Sequence, residues 1–333
     1  AKELSKEIVL STEAHPGSDR YLKTISASAN LNYEGGSHSY AMEWYFVPNH
    51  VKTLKSYGIG LEGLVPLGWS IIGWINKYVV ITIFNAFENW GFGYGMIILM
   101  MALLIKMALF PFTYKSYTSM AKMRVLKPQI DAINEKYEDK MKRQQETMAL
   151  YKQTGVSPLG GCIPMLFQMP ILFALFRFFP ASIELRQQGF LWANDLSTYD
   201  SILDLGFNIP FYGDHVSLFT LLMTATTVLQ MKYSNSMSAS NAQMPQMKYM
   251  LYFMPVLFLG IMNNYAAALS YYYFLANLIT FGQQKIIERM TDDSALLAKM
   301  EENKQKDPVK GKSKFQARLE KMMKEQQEAK KRK

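Results

Sequence analysis

Lys106 stands alone in an apolar run, GFGYGMIILMMALLIKMALFPF (Gly91–Phe112), whose one other ionisable side chain is a tyrosine. Holding a lysine at the centre of a membrane-spanning helix costs about 2.5–3.5 kcal/mol, so such a residue usually faces a polar interior. It lies six residues from the end of the run, where a long stem can also snorkel to the headgroups. Position alone leaves both readings open. Other polar side chains inside apolar runs are patterned. Ser217, Thr220, Thr224 and Thr227 are spaced 3, 4 and 3, and Ser270, Asn277, Thr280 and Gln284 are spaced 7, 3 and 4. Each set shares one helix face. Gln168 adds an amide from a further run. Hydroxyl and amide groups commonly glue membrane helices together. Polar stripes beside an internal lysine also fit a water-containing cavity whose cation attracts acidic groups, so these residues define a candidate site.

Bond-making chemistry finds no support. His15, His38, His50 and His215 lack metal-ligand spacing, and neither a phosphate-cradling glycine loop nor a nucleophile motif occurs. No catalytic residue, cofactor or metal is expected. The single cysteine, Cys162, excludes an internal disulfide and reads as a small packing residue at the start of an apolar run.

The elements that must position the polar residues are membrane spans. The 333 residues are 49% hydrophobic, yet the mean hydropathy is −0.05 because apolar runs alternate with charged segments. Five runs qualify as spans: Gly91–Phe112, about Gly160–Pro180, Val216–Met231, and the stretch Tyr249–Phe281 split in two. That last stretch would be about 50 Å long as one helix, against a hydrocarbon core of about 30 Å, and Asn263-Asn264 supplies the turn. Val216–Met231 and the first half of Tyr249–Phe281 are short, which leaves re-entrant and spanning forms open; local bilayer thinning favours spanning. The fold class expected is an all-α membrane protein, a five-helix bundle with a cytoplasmic helical hairpin, an interfacial helix and a β-rich periplasmic remnant.

Charge orients the bundle. The net charge of +9 gathers in the segments that flank the runs, which makes anionic headgroups and a ribosomal RNA surface both plausible partners. Residues 113–158 hold nine Lys/Arg and residues 285–333 hold fifteen, whereas 182–214 hold only Arg186 against Glu184 and four aspartates. The positive-inside rule places 113–158 and the tail in the cytoplasm and 182–214 outside. Five spans then leave 1–66 outside.

Four segments result. Residues 1–66 contain alternating stretches, TISASANLNY and HSYAMEWYFV, that read as a few strands, too few to bury a core alone, and so as the end of a larger periplasmic domain. Residues 67–89 read as an interfacial amphipathic helix, because Ser70, Gly73, Lys77, Asn85 and Glu88 fall near one stripe, although Trp69–Phe87, with Lys77 as its single charge, could also span by hydropathy. Residues 90–284 form the five-span core. Within it, 113–158 is a helical hairpin turning near Asp139, whose Met120, Met123, Met141 and Met148 either hold its helices together or offer an adaptable apolar face. Residues 285–333 are a basic cytoplasmic tail.

The strings YTSMAKMRVLKPQI (117–130), MALYKQTGVSPLGGCIPMLFQMPI (148–171), ELRQQGFLWANDLS (184–197), FMPVLF (253–258) and FLANLITFGQQ (274–284) closely resemble YidC-type membrane protein insertases of the YidC/Oxa/Alb family over about residues 68–290. Relative to Gram-negative members, the first span and most of the periplasmic domain are missing. The resemblance implies a hydrophilic, positively charged intramembrane groove open to cytoplasm and lipid. Through it an inner-membrane insertase and chaperone would insert and help fold nascent membrane proteins, alone or with the Sec translocon, without nucleotide hydrolysis. The groove set implied is Lys106, Gln168, Thr220, Thr224, Thr227, Asn277 and Thr280. A hydrophobic slide would include Met165, Phe167, Met169, Pro170, Phe253, Met254 and Phe258. The hairpin and basic tail would meet the ribosome. Family members usually carry arginine where this chain has Lys106; an arginine keeps its charge under burial, so either the groove is wet enough to keep the lysine charged or the charge matters less here than in arginine members. A small-anion transporter or a structural assembly partner is the alternative, and no inverted repeat or glycine-broken helix speaks for transport.

Overall fold

The computed structural model describes residues 8–15, 23–29, 35, 43–157, 160, 163–236 and 245–305. Two compact units divide at Val47/Pro48. In the first, β1 (Ile8–Ala14) and β2 (Lys23–Ala29) pair antiparallel with Ile8 opposite Ala29 and Ala14 opposite Lys23. Strand β2 falls on the alternating TISASA. Of the second stretch expected as strand, residues 43–47 are irregular and 38–42 lie outside the described residues. The β-rich segment also does not extend to residue 66: Val51–Ser56 is a helix (α1) and Leu61–Leu64 a 3-10 turn. Glycines at 58 and 60 in the left-handed region break the chain between them.

The second unit is helical. Helix α2 runs Ser70–Asn89 with a π-turn at Asn76–Val80. Its buried residues Asn76, Val80, Phe84 and Phe87 are spaced 4, 4 and 3, while Trp69, Trp74 and Tyr78 face outward. Asn76 Nδ2 donates to Leu67 O at 2.7 Å and Ala174 O at 2.8 Å, docking α2 on a later helix. Helix α3 (Tyr94–Ala108) leads into α4 (Phe110–Val125) through a bend of 59°. The run Gly91–Phe112 is therefore not one unbroken helix. Pro111 has no N–H to continue α3 and suits the first turn of α4, which puts Lys106 in the last turn of α3.

Helices α5 (Lys127–Lys136) and α6 (Lys140–Thr154) form the charged hairpin. Asp139 caps α6 by accepting the Met141 N–H at 3.0 Å. Then follow α7 (Ile163–Ala181), the hairpin β3 (Leu203–Ile209) and β4 (Gly213–Val216), α8 (Leu218–Ser236), α9 (Pro245–Asn263), α10 (Ala267–Met290) and α11 (Asp293–Gln305). Among the described residues α2 alone is long and apolar enough to cross a bilayer as a single helix. The bent pair α3–α4 qualifies jointly, and Leu166–Ala181 and Phe253–Asn263 are apolar but short. Cys162 lies outside the described residues, as does the tail beyond Gln305.

Two cores hold the second unit together. One joins α2, α3, α7, α8 and α10 through Phe84, Ile97, Met101, Leu175, Phe179, Phe219 and Tyr272. The other joins the hairpin to α4, α10 and α11 through Met123, Leu126, Ile130, Leu150, Ile287 and Met300. Met120, Met123 and Met148 belong to this second core, and Met141 is exposed.

Candidate functional site: a polar cavity around Lys106

Helix α3 buries Ile97, Ile98, Met101, Ala102 and Ile105 on one side and exposes Leu103, Leu104 and Met107 on the other. Lys106 falls between these faces and turns inward. Its Nζ donates to Gln168 Oε1 on α7 at 3.1 Å, and its backbone carbonyl accepts from Gln283 Nε2 on α10 at 3.0 Å. A cavity of about 260 Å³ opens beside it. Polar groups reach this space from Thr113, Ser116 and Tyr117 on α4, Gln168 on α7, Gln230 and Ser234 on α8, and Tyr273, Asn277 and Thr280 on α10. Among the described residues, none that lines it is acidic. The Gln168 Nε2 and Ser116 Oγ are buried with no protein partner in hydrogen-bonding geometry among the described residues.

Of the expected groove set, Lys106, Gln168, Asn277 and Thr280 line this space together. Thr227 touches it indirectly, accepting from Asn277 Nδ2 at 2.8 Å. Thr224 and Thr227 line a smaller, more apolar pocket of about 170 Å³ with Met231, Met254 and Phe258. Thr220 belongs elsewhere. Sitting in the first turn of α8, it shares a buried cluster in which its hydroxyl meets Ser270 Oγ at 2.9 Å and Ser217 Oγ at 2.8 Å. Asp200 closes that cluster, accepting from Ser217 Oγ, from the Phe219 N–H at 2.9 Å and from Trp192 Nε1 at 2.8 Å. A carboxylate at a helix N-terminus is well placed against the unpaired N–H groups there. Beside it, Asn263 accepts the Ser217 N–H at 3.0 Å and donates to His215 O at 2.8 Å.

Sequence reasoning missed Thr113, Ser116, Tyr117, Gln230, Ser234 and Tyr273. Gln230 and Ser234 were findable, since they extend the α8 stripe by further steps of 3 and 4. Among the slide residues, Phe167, Phe253 and Met254 are exposed, and Met169, Pro170 and Phe258 are half-buried. The Met165 side chain lies outside the described residues. The Phe167 ring also packs tilted against Phe112, with centroids 4.3 Å apart, and both line the cavity. Arg177 lies 5.9 Å from the Trp69 ring, apart from the cavity. Among the described residues no cluster of His, Cys, Asp or Glu suits a metal ion.

A family model described as 60Kd inner membrane protein matches residues 85–294, from α2 to α11. The chain belongs to the YidC-type membrane protein insertase family. A protein of Bacteroides fragilis named membrane protein insertase YidC is 48% identical over 320 residues, covering 92% of this chain and 52% of that protein. Proteins of the same name from Parabacteroides distasonis and Porphyromonas gingivalis are 48% and 41% identical, covering 96% and 94% of the chain and 53% of each relative. The chain thus spans about half the length of the curated relatives it matches. Family membership gives an inner-membrane protein of mostly helical fold.

Proposed function

We propose that this chain is a membrane protein insertase and chaperone that receives part of a nascent membrane protein in the Lys106 cavity. The observation that carries the reading is a lysine in a polar cavity drawn from five helices, with no acidic residue among the described lining residues. An acidic residue of the client would supply the missing partner: at 4 Å and an effective dielectric of 20, one pair gains about 4 kcal/mol before desolvation. Water and the donors of Ser116, Gln168 and Gln230 would solvate the client's polar tail. Its apolar segment would move along exposed side chains of α7 and α9, among them Phe167, Phe253 and Met254.

In this reading the core 90–284 spans the inner membrane five times. Residues 67–89 lie in the interface, 1–66 close a periplasmic domain, and 285–333 are cytoplasmic. The Sec translocon is a partner for some clients, the hairpin and basic tail meet the ribosome, and the lipid bilayer itself is the final recipient. No nucleotide is hydrolysed. The test reconstitutes the chain in liposomes and scores protease protection of a small client with an acidic translocated tail, using wild type, Lys106→Arg, Lys106→Gln and Lys106→Glu. Insertion kept by Arg and lost with Gln and Glu is expected. Equal insertion by all four would remove the charge from the mechanism, and solute flux without insertion would overturn the reading.

A further inference from the structure

The β3–β4 hairpin keeps its charges at its base, where Leu203 is also exposed, and carries none from Leu205 to Gly213, a stretch that reads LGFNIPFYG. Asp204 pairs with His215 across the ladder and Asp214 neighbours it, so both carboxylates belong to the base. At the tip, Phe207 is 63% exposed and Phe211 93% exposed. Phe211 also holds a φ of +69°, in the left-handed region that non-glycine residues seldom occupy. A two-stranded ribbon that showed this apolar surface to water would be a ready site for aggregation.

The tip does not stand away from the bundle. The Phe211 carbonyl packs on α9 at Gly260, where a side-chain carbon would lie 3.0 Å from its oxygen. The Asn263 and Asn264 amides both donate to Tyr212 O, at 2.9 and 2.7 Å. Gly260 lies three residues inside the end of α9, about 4.5 Å along the helix axis. The tip is therefore folded back along the last turn of α9, beside the exposed Ile261.

We propose that the hairpin tip is a lipid-facing foot, with Phe207 and Phe211 in the outer interfacial layer of the bilayer and the acidic base in water. This rests on the reading of α9 as a span whose outer end is Asn263. Lipid is the favoured partner because the tip continues the apolar surface of Val256, Leu257 and Ile261 and carries no charged side chain from Leu205 to Gly213. Amphipathic elements with aromatic tips settle at this depth.

The 333-residue chain carrying Cys162→Ser would receive single cysteines at Asp204, Phe207, Phe211 or Val256, each labelled with a nitroxide and reconstituted into phosphatidylethanolamine–phosphatidylglycerol liposomes. All four positions are exposed, so labelling leaves the packing intact. Power-saturation spectra compare access by oxygen, which partitions into lipid, with access by a water-soluble nickel complex. The ratio should invert along the hairpin: nickel dominates at Asp204, and oxygen dominates at Phe207 and Phe211 as it does at Val256. Nickel access at Phe211 beside oxygen access at Val256 would overturn the foot and leave the spanning reading intact. Labels shielded from both reagents would point to a second copy of the chain and also overturn it. Nickel access at Val256 would remove the spanning reading, and the foot with it.

Discussion

Replacing Asn263 with alanine should cost far more than replacing its neighbour Asn264. Asn263 is fully buried and makes three hydrogen bonds to backbone: from the Ser217 N–H, and to the carbonyls of Tyr212 and His215. Alanine leaves all three without it. Tyr212 O keeps a second donor in Asn264 Nδ2 at 2.7 Å, so two buried groups are stranded, His215 O and the Ser217 N–H. A stranded buried group costs about 1–3 kcal/mol, which gives about 4 kcal/mol for the pair. Asn264 is exposed, and its bonds to Tyr212 O and Gly260 O exchange with water, so Asn264→Ala should cost no more than about 1 kcal/mol. Reversible unfolding of both variants in mixed micelles, followed by circular dichroism, compares them directly. Equal losses, or a loss below about 1 kcal/mol for Asn263→Ala, would refute the assignment of this amide as the tie between β4, α8 and α9.

Other expectations test separate contacts. A side-chain carbon at Gly95 would lie 2.1 Å from the Phe190 ring, which packs on Tyr271 at 5.1 Å; Gly95→Ala should cost about 1–3 kcal/mol, and pairing it with Phe190→Ala should recover part of the loss in the same unfolding assay. Arg124 joins Glu288 at 3.2 Å and Asp293 at 2.9 Å. Burial opposes its charge, but these carboxylates outweigh that and raise its pKa; Arg124→Ala should cost about 1 kcal/mol in dilute buffer and less in concentrated salt, seen as faster proteolysis between α4 and α11. Burial pushes the Asp195 carboxyl up, yet the Ser197 hydroxyl and amide, the Gln187 amide and Arg186 outweigh it and hold it below its usual value. Its folded pKa being the lower one, its stabilising share is present above about pH 4 and is lost as pH falls through the depressed value. The stability gap between wild type and Asp195→Ala should therefore close in acid, and a gap that widens would contradict the turn.

Much of the site was legible because helical spacing is local information. Lys106, Gln168, Asn277 and Thr280 needed only hydropathy and a period of 3.6 to be singled out. Thr220 shows the limit: its spacing matches Thr224 and Thr227, but its partner Ser270 arrives from 50 residues downstream, and Asp200, which closes the cluster through Ser217, from 20 residues upstream. The break after Ala108 was overlooked although Pro111 signalled it, because uniform apolarity masked a backbone effect. Helix α2 was found as an element, and its buried face of Asn76, Val80, Phe84 and Phe87 appeared only with its docking on α7 and α3. The β3–β4 hairpin escaped notice inside an acidic loop, since two short strands need each other before either can be recognised.

Helix α10 links two parts of the molecule mechanically. It is the helix, among the described residues, that supplies buried side chains to both cores: Tyr271, Tyr272 and Ala276 to one and Ile287 to the other. Its 24 residues make a rod about 36 Å long, and Asn277 and Thr280 lie on the cavity wall between those two anchorages. The rod works as a beam with a fixed bearing in the bundle and a second bearing in the charged hairpin. Any load taken by the hairpin therefore bends or tilts the same beam that sets the width of the Lys106 cavity, so the stiffness of one end limits the breathing of the other.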